Sequence, residues 1–273
     1  MAYKEIVVHV APDERSPQRL DAAVELAERH DGKVTGVYVL SRLVVPGFAS
    51  FELSTEVYKR LDTEQRARAE EAERHFTERL AKSTAASEWR LTTGEAVDAV
   101  TTSAHYADIT VVGQTDPDDS YSIAGMADSV VLGAGGPVLV WPYAGSFSVN
   151  AETVMLAWNG TREAKRALSD ALPLMQQAEK VIVLGIDTGD GKHIPGADVS
   201  AYLARHGVNA EARHTVSSSD LGASDTLLSE ISDHGANLLV MGGYGHHRVR
   251  EVLLGGVTRD ILRQMTVPVV MSH

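Results

Sequence analysis

Cysteine is absent from the 273 residues, which removes disulfides, thiolate nucleophiles, CxxC redox chemistry and cysteine-built zinc or iron–sulfur sites together. Positive charge is short: 25 Lys and Arg stand against 37 Asp and Glu, a formal net charge of −12. Such an acidic chain repels phosphate backbones and anionic lipid, so neither nucleic acid nor a membrane surface is an expected partner. Long apolar runs are missing as well; all are strand-sized, well short of the roughly 20 residues that a helical span needs. Residues Met1–Glu5 lead straight into the run Ile6–Val10 without a secretory h-region, and a cytoplasmic location is expected. What is present suffices for a core. The chain is 44% hydrophobic and 23% charged, and its length suits one large domain or two small ones.

The chain repeats itself. Glu5–Val10, Pro17–His30 and Lys33–Leu40 read as strand, helix and strand, and Thr153–Trp158, Thr161–Gln177 and Lys180–Ile186 repeat that plan. Ala107–Gln114 (ADITVVGQ) parallels Ala236–Gly243 (ANLLVMGG), and Gly136–Trp141 parallels Val267–Met271. Short β-branched strands alternate with helical patterns such as Leu227, Ile231 and His234, which predicts parallel sheets with helices on both sides. The boundary falls near Pro142–Asn150, giving domains at 1–145 and 150–273. The first half alone carries a long segment, Ser54–Lys82, with seven acidic and seven basic residues around the thin stripe Val57, Leu61, Gln65, Ala69, Ala72, Phe76 and Leu80. That pattern reads as a helix packed on its own sheet, or alternatively as a docking helix for a partner. The matching connection of the second half holds the glycine-rich stretch Gly189–Gly196.

Ligands of open parallel sheets bind beyond the carboxyl ends of the strands. After Met241 two glycine clusters, Gly242-Gly243-x-Gly245 and Gly255-Gly256, bracket a loop whose second cluster opens a helix. Glycine admits positive φ and close approach of a phosphate to the backbone, and the helix start adds free N–H groups. The spacing Gly242-x2-Gly245-x9-Gly255, followed by Val257-Thr258, resembles the nucleotide-binding signature of the universal stress protein family, and the two-module layout resembles its tandem members. The resemblance implies two doubly wound five-stranded parallel-sheet α/β domains of the adenine nucleotide alpha-hydrolase-like type, packed as a pseudo-twofold pair through their last strands. It implies ATP or a related adenine nucleotide as ligand, with or without Mg2+, and a stress-response regulatory role without dedicated catalysis. The residues so implied are Gly242, Gly243, Gly245, His246, Gly255, Gly256, Val257 and Thr258 for ribose and phosphates. Ala157, Trp158 and Asn159 stand at the end of the first strand, where the family has an aspartate, and Ile186 lines the adenine pocket. Gly256 replaces the family's hydroxyl residue, and Asn159 keeps an acceptor without its charge.

The first half departs further. Asp116 replaces the second glycine, Asp118 and Asp119 follow, and the loop is two residues shorter, so phosphates are repelled there although Asp13 sits at the family's aspartate position. The three aspartates read as a solvated loop or, less simply, as a divalent-cation site. His193 and His273 have no partners at metal-ligand spacing. No nucleophile stands beside a base, and an ATP-hydrolysing enzyme would need a metal ligand and a water-orienting residue that the sequence does not display. The alternative function is a nucleotide-independent scaffold acting through the long helix of the first half. A homodimer beyond the internal pair is compatible with the sequence but not required.

Overall fold

The computed structural model describes residues 2–41, 55–187, 196–217, 222–245 and 256–273. In the first half the elements are β1 (Glu5–Val10), α1 (Ser16–His30), β2 (Lys33–Ser41), α2 (Thr55–Leu80), β3 (Ala86–Gly94), α3 (Ala96–Ala104), β4 (Ile109–Gly113), α4 (Met126–Gly133) and β5 (Val138–Trp141). In the second they are β6 (Thr153–Ala157), α5 (Arg162–Asp170), α6 (Leu172–Met175), β7 (Lys180–Asp187), α7 (Ala197–Arg205), β8 (Ala210–Val216), α8 (Ala223–Asp233), β9 (Leu238–Gly242), α9 (Gly256–Gln264) and β10 (Val269–Ser272). The single helix expected over Thr161–Gln177 is two. Pro173 has no N–H for the carbonyl four residues back, and the chain leaves the helical region at Ala171 (φ −88°, ψ 2°) before restarting as α6.

The ten strands among the described residues form one sheet in the order β3-β2-β1-β4-β5-β10-β9-β6-β7-β8. Within each half every pairing is parallel; only β5 and β10 run antiparallel. Leu139 lies opposite Val270, while the pairs Val140–Val269 and Val138–Met271 exchange into one another when the halves are swapped. That is the register of a local twofold. It also aligns the halves residue by residue, because Val8 stands beside Val111 and Leu139 as Leu156 stands beside Val240 and Val270. Leu20, Leu26 and Phe76 with Leu168, Leu174 and Leu203 fill one side of the sheet. Val100, Val130, Leu227, Ile231 and Ile261 fill the other. Each such fully buried aliphatic side chain contributes about 1.5–3 kcal/mol.

The two outermost strands are polar where the inner ones are apolar. β3 and β8 carry Glu88–Arg90 and Glu211–Arg213 ion pairs on largely exposed backbones, which blunts both ends of the sheet against further pairing. β5 is the opposite, Val-Leu-Val-Trp and wholly buried. Halves expressed separately are therefore expected to aggregate or to reassociate when mixed; sedimentation showing two stable, non-associating monomers would contradict this.

The long helix α2 packs the C-terminal part of its seam on its own sheet. Ala69, Phe76 and Leu80 are buried, and the Phe76 ring lies 5.2 Å from that of Trp89 on β3. Its outer face is laced by i,i+4 pairs, Arg60–Glu64, Arg66–Asp62 and Arg74–Glu78.

Candidate functional site

Strand order reverses between β6 and β9 in the second half and between β1 and β4 in the first, so a crevice opens at the carboxyl ends of each pair. In the second half β6 ends at Ala157, and the Trp158 N–H still reaches the Leu184 carbonyl at 2.8 Å. Asn159 follows, exposed, with its carboxamide oxygen accepting from the Thr161 N–H (3.2 Å) and hydroxyl (2.8 Å). Both lone pairs of that oxygen are thereby engaged, and the NH2 group is the amide's remaining donor. Thr161 in turn caps α5, accepting from Ala164 N. Across the crevice β9 delivers Gly242, Gly243 and Gly245. Gly242 packs on α5 so closely that a Cβ there would lie 2.5 Å from Ala164 N, and one at Gly245 would lie 2.8 Å from Glu163 Oε2. Thr258, on the first turn of α9, is buried and accepts from the Tyr244 N–H at 3.1 Å. It clasps the turn from within rather than facing the crevice. Val257 and Gly256 are exposed, and the start of α9 leaves its first backbone N–H groups without intrahelical acceptors. Ile186 on β7 is half-buried against the sheet. His246 and Gly255 lie outside the described residues.

On the side of the β4 loop the first-half crevice is filled by its own side chains. The Asp13 carboxylate is held by both terminal nitrogens of Arg19, at 2.8 and 2.5 Å, in a pair that is almost wholly buried. Burial pushes the Asp13 carboxyl up, but the hydrogen-bonded Arg19 guanidinium and the Arg15 N–H outweigh it and hold the group below the usual carboxylate range. Burial, reinforced by the Arg19 charge and only partly offset by Asp13, pushes neighbouring His9 down to about 3, so this imidazole is neutral at physiological pH. The loop after β4 spends its aspartates on its own backbone. Asp116 accepts from Asp118 N, and Asp119 from Tyr121 N and from Glu14 N of the β1–α1 turn. Among the described residues no group of three or more His, Asp or Glu could hold a metal ion. Arg68 of α2 stacks over Tyr121 at 5.1 Å, beside a cavity of about 260 Å³ at the ends of β1 and β2.

The family model for the universal stress protein family matches residues 2–142 and again 150–273. The chain belongs to the universal stress protein family. It is similar in fold to a universal stress protein from Archaeoglobus fulgidus DSM 4304, at 15% identity and a TM-score of 0.76 over 98% of this chain and 95% of that one. A putative universal stress protein from Pseudomonas aeruginosa UCBPP-PA14 matches at 12% identity and a TM-score of 0.63, covering 99% and 93%. A universal stress protein solved in complex with cAMP covers 53% of this chain and 100% of its own, at 22% identity and a TM-score of 0.36. A search of curated sequences returns no match.

Within this tandem universal stress protein the register corrects one expectation. Val8 is the counterpart of Leu156, so Ala11, not Asp13, stands where Asn159 stands, and Val39 is the counterpart of Ile186. Two residues of the second-half site carried no signal that drew attention to them. Glu163 reads as an ordinary first-turn acid, yet it is buried beneath the glycine turn. Burial pushes its carboxyl up, but hydrogen bonds from Arg162, its own N–H and Thr161 outweigh this and hold it below the usual range. Tyr244 sits between the glycines at φ +56°, one of two described non-glycine residues in the left-handed region.

Proposed function

We propose that this universal stress protein is a stress-response regulator that binds ATP or a related adenine nucleotide in its second half, without dedicated catalysis. One contrast carries the reading. In the second half Gly242, Gly243 and Gly245 stand at and just after the end of β9 at the switch point and α9 begins at Gly256, whereas in the first half aspartates accept from the loop amides and Arg19 holds Asp13. Phosphates would meet the backbone N–H groups at Gly256 and Val257, with the Asn159 amide as a donor to ribose hydroxyls and Ile186 against the base.

Thermal unfolding with and without Mg-ATP, followed by calorimetric titration, tests this. A ligand at about a hundred times its Kd adds about 2.7 kcal/mol, which is roughly 5–10 °C in Tm for a chain of this size. The expected stoichiometry is one nucleotide per chain. Absence of any shift removes the nucleotide reading, and two sites per chain would show that the first half binds as well.

A further inference from the structure

The candidate turn of the second half is not held by the second half alone. Tyr244 occupies a left-handed conformation that an L-residue adopts at a cost of about 1–2 kcal/mol, so something must hold it. Its N–H is taken by Thr258, and its hydroxyl crosses the boundary between the halves to donate to Asp128 Oδ1 on α4 at 2.6 Å. Beside it, Gly243 fits so closely against the same helix that a Cβ would lie 2.9 Å from Val131 Cγ1. The Gly243 carbonyl is 3.1 Å from His273 Nδ1, and the His273 ring stands edge-on to that of Tyr244. The contact is answered from the other side, since Gln114, the counterpart of Gly243, donates to the Arg263 carbonyl of α9.

We infer that Asp128 of the first half is a positioning residue for the ligand turn of the second half, acting through the Tyr244 hydroxyl, so that binding at this site is coupled to the packing of α4 against it. The inference rests on the nucleotide reading for its consequence but not for its geometry. With the clasp in place the turn is populated in one conformation. Without it the strain at Tyr244 relaxes, and apparent affinity falls with the fraction of chains still competent.

The test uses the full-length chain and four variants: Asp128→Ala, Asp128→Asn, Tyr244→Phe and the Asp128→Ala/Tyr244→Phe double. In the ligand-free state, amide hydrogen exchange at Tyr244 and Gly245 is expected to quicken about tenfold in both single deletions. It should stay near the parent in Asp128→Asn, whose carboxamide oxygen still accepts the phenol, while Val240 on β9 keeps its protection throughout. Mg-ATP affinity should fall about tenfold in the same two variants and no further in the double, because they remove one interaction. Unchanged exchange at Tyr244 and Gly245 overturns the inference, as does a loss in Asp128→Asn equal to that in Asp128→Ala. If the parent binds no nucleotide, the proposed function fails alone, and the exchange experiment still decides the role of Asp128.

Discussion

Replacing Arg19 with methionine is expected to lower stability by about 3–5 kcal/mol, because it strips one partner from a buried ion pair and leaves the Asp13 carboxylate uncompensated. At roughly 2–4 °C per kcal/mol this is a fall in Tm of the order of 10 °C. Arg19 also reaches the His9 carbonyl and lies under Gly113, so its loss loosens the β1 and β4 ends together. The pH dependence identifies the cause. In the parent the folded pKa of Asp13 lies below its unfolded value, so the stability it contributes is present at neutral pH and is lost only as pH falls through the folded value. In the variant desolvation, the largest influence on this carboxyl, is opposed mainly by the Arg15 N–H and raises the folded pKa above the unfolded one, so the deficit deepens as pH rises through the carboxylate range and shrinks in acid. Adding Asp13→Asn should recover much of the loss. Urea unfolding of the three proteins at pH 4.5 and 7.5 measures this; a deficit below 1 kcal/mol, or one indifferent to pH, would show that the pair is not what holds this crevice.

The second large effect is at Gly242. A methyl group there meets the backbone of α5, 2.5 Å from Ala164 N and 2.6 Å from Glu163 C, and no side-chain rotation relieves either contact. Strand and helix must part, at a cost of about 3 kcal/mol for Gly242→Ala. Gly256→Ala is the control, since among the described residues its Cβ would approach nothing closer than Asp260 Oδ2 at 3.8 Å, and it should change stability by less than about 0.5 kcal/mol. Gly245→Ala falls between, because the Glu163 carboxylate can swing aside. Denaturant midpoints that place Gly242→Ala level with Gly256→Ala would refute this. The first glycine of the signature thus has a purely structural reason to be glycine, independent of any ligand.

That result bears on how much was legible in the sequence. The repeat and the alternation of strand and helix were readable because buried parallel strands are written as short β-branched runs such as Ile109–Val112 and Leu238–Met241; the pairing of the halves through their last strands was not written in those runs but implied by the family resemblance. The break at Pro173 was there to be read and is a local rule outweighed by an apparently continuous apolar pattern. Counting from Val8 and Leu156 would have placed Ala11, not Asp13, opposite Asn159, but that equivalence becomes certain only once β1 and β6 are seen in register with β4 and β9. Thr258 could be named as a site residue, yet whether its hydroxyl faces a ligand or the Tyr244 N–H depends on the turn, which sequence does not display. The Tyr244–Asp128 contact spans 116 positions and two halves. No spacing rule reaches that far.

The antiparallel seam also imposes a timetable on synthesis. β5 is complete at Trp141, but its outer partner, β10, begins only at Val269, some 130 residues and roughly 6–26 s of translation later at about 5–20 residues per second. Over that interval the first half can fold around β1, β2, β3 and β4 while its Val-Leu-Val-Trp strand has nothing on its outer side, and the charged pairs that guard β3 do nothing for it. The same strand that later joins the halves is, on the ribosome, the point where a neighbouring nascent chain would add itself to the sheet.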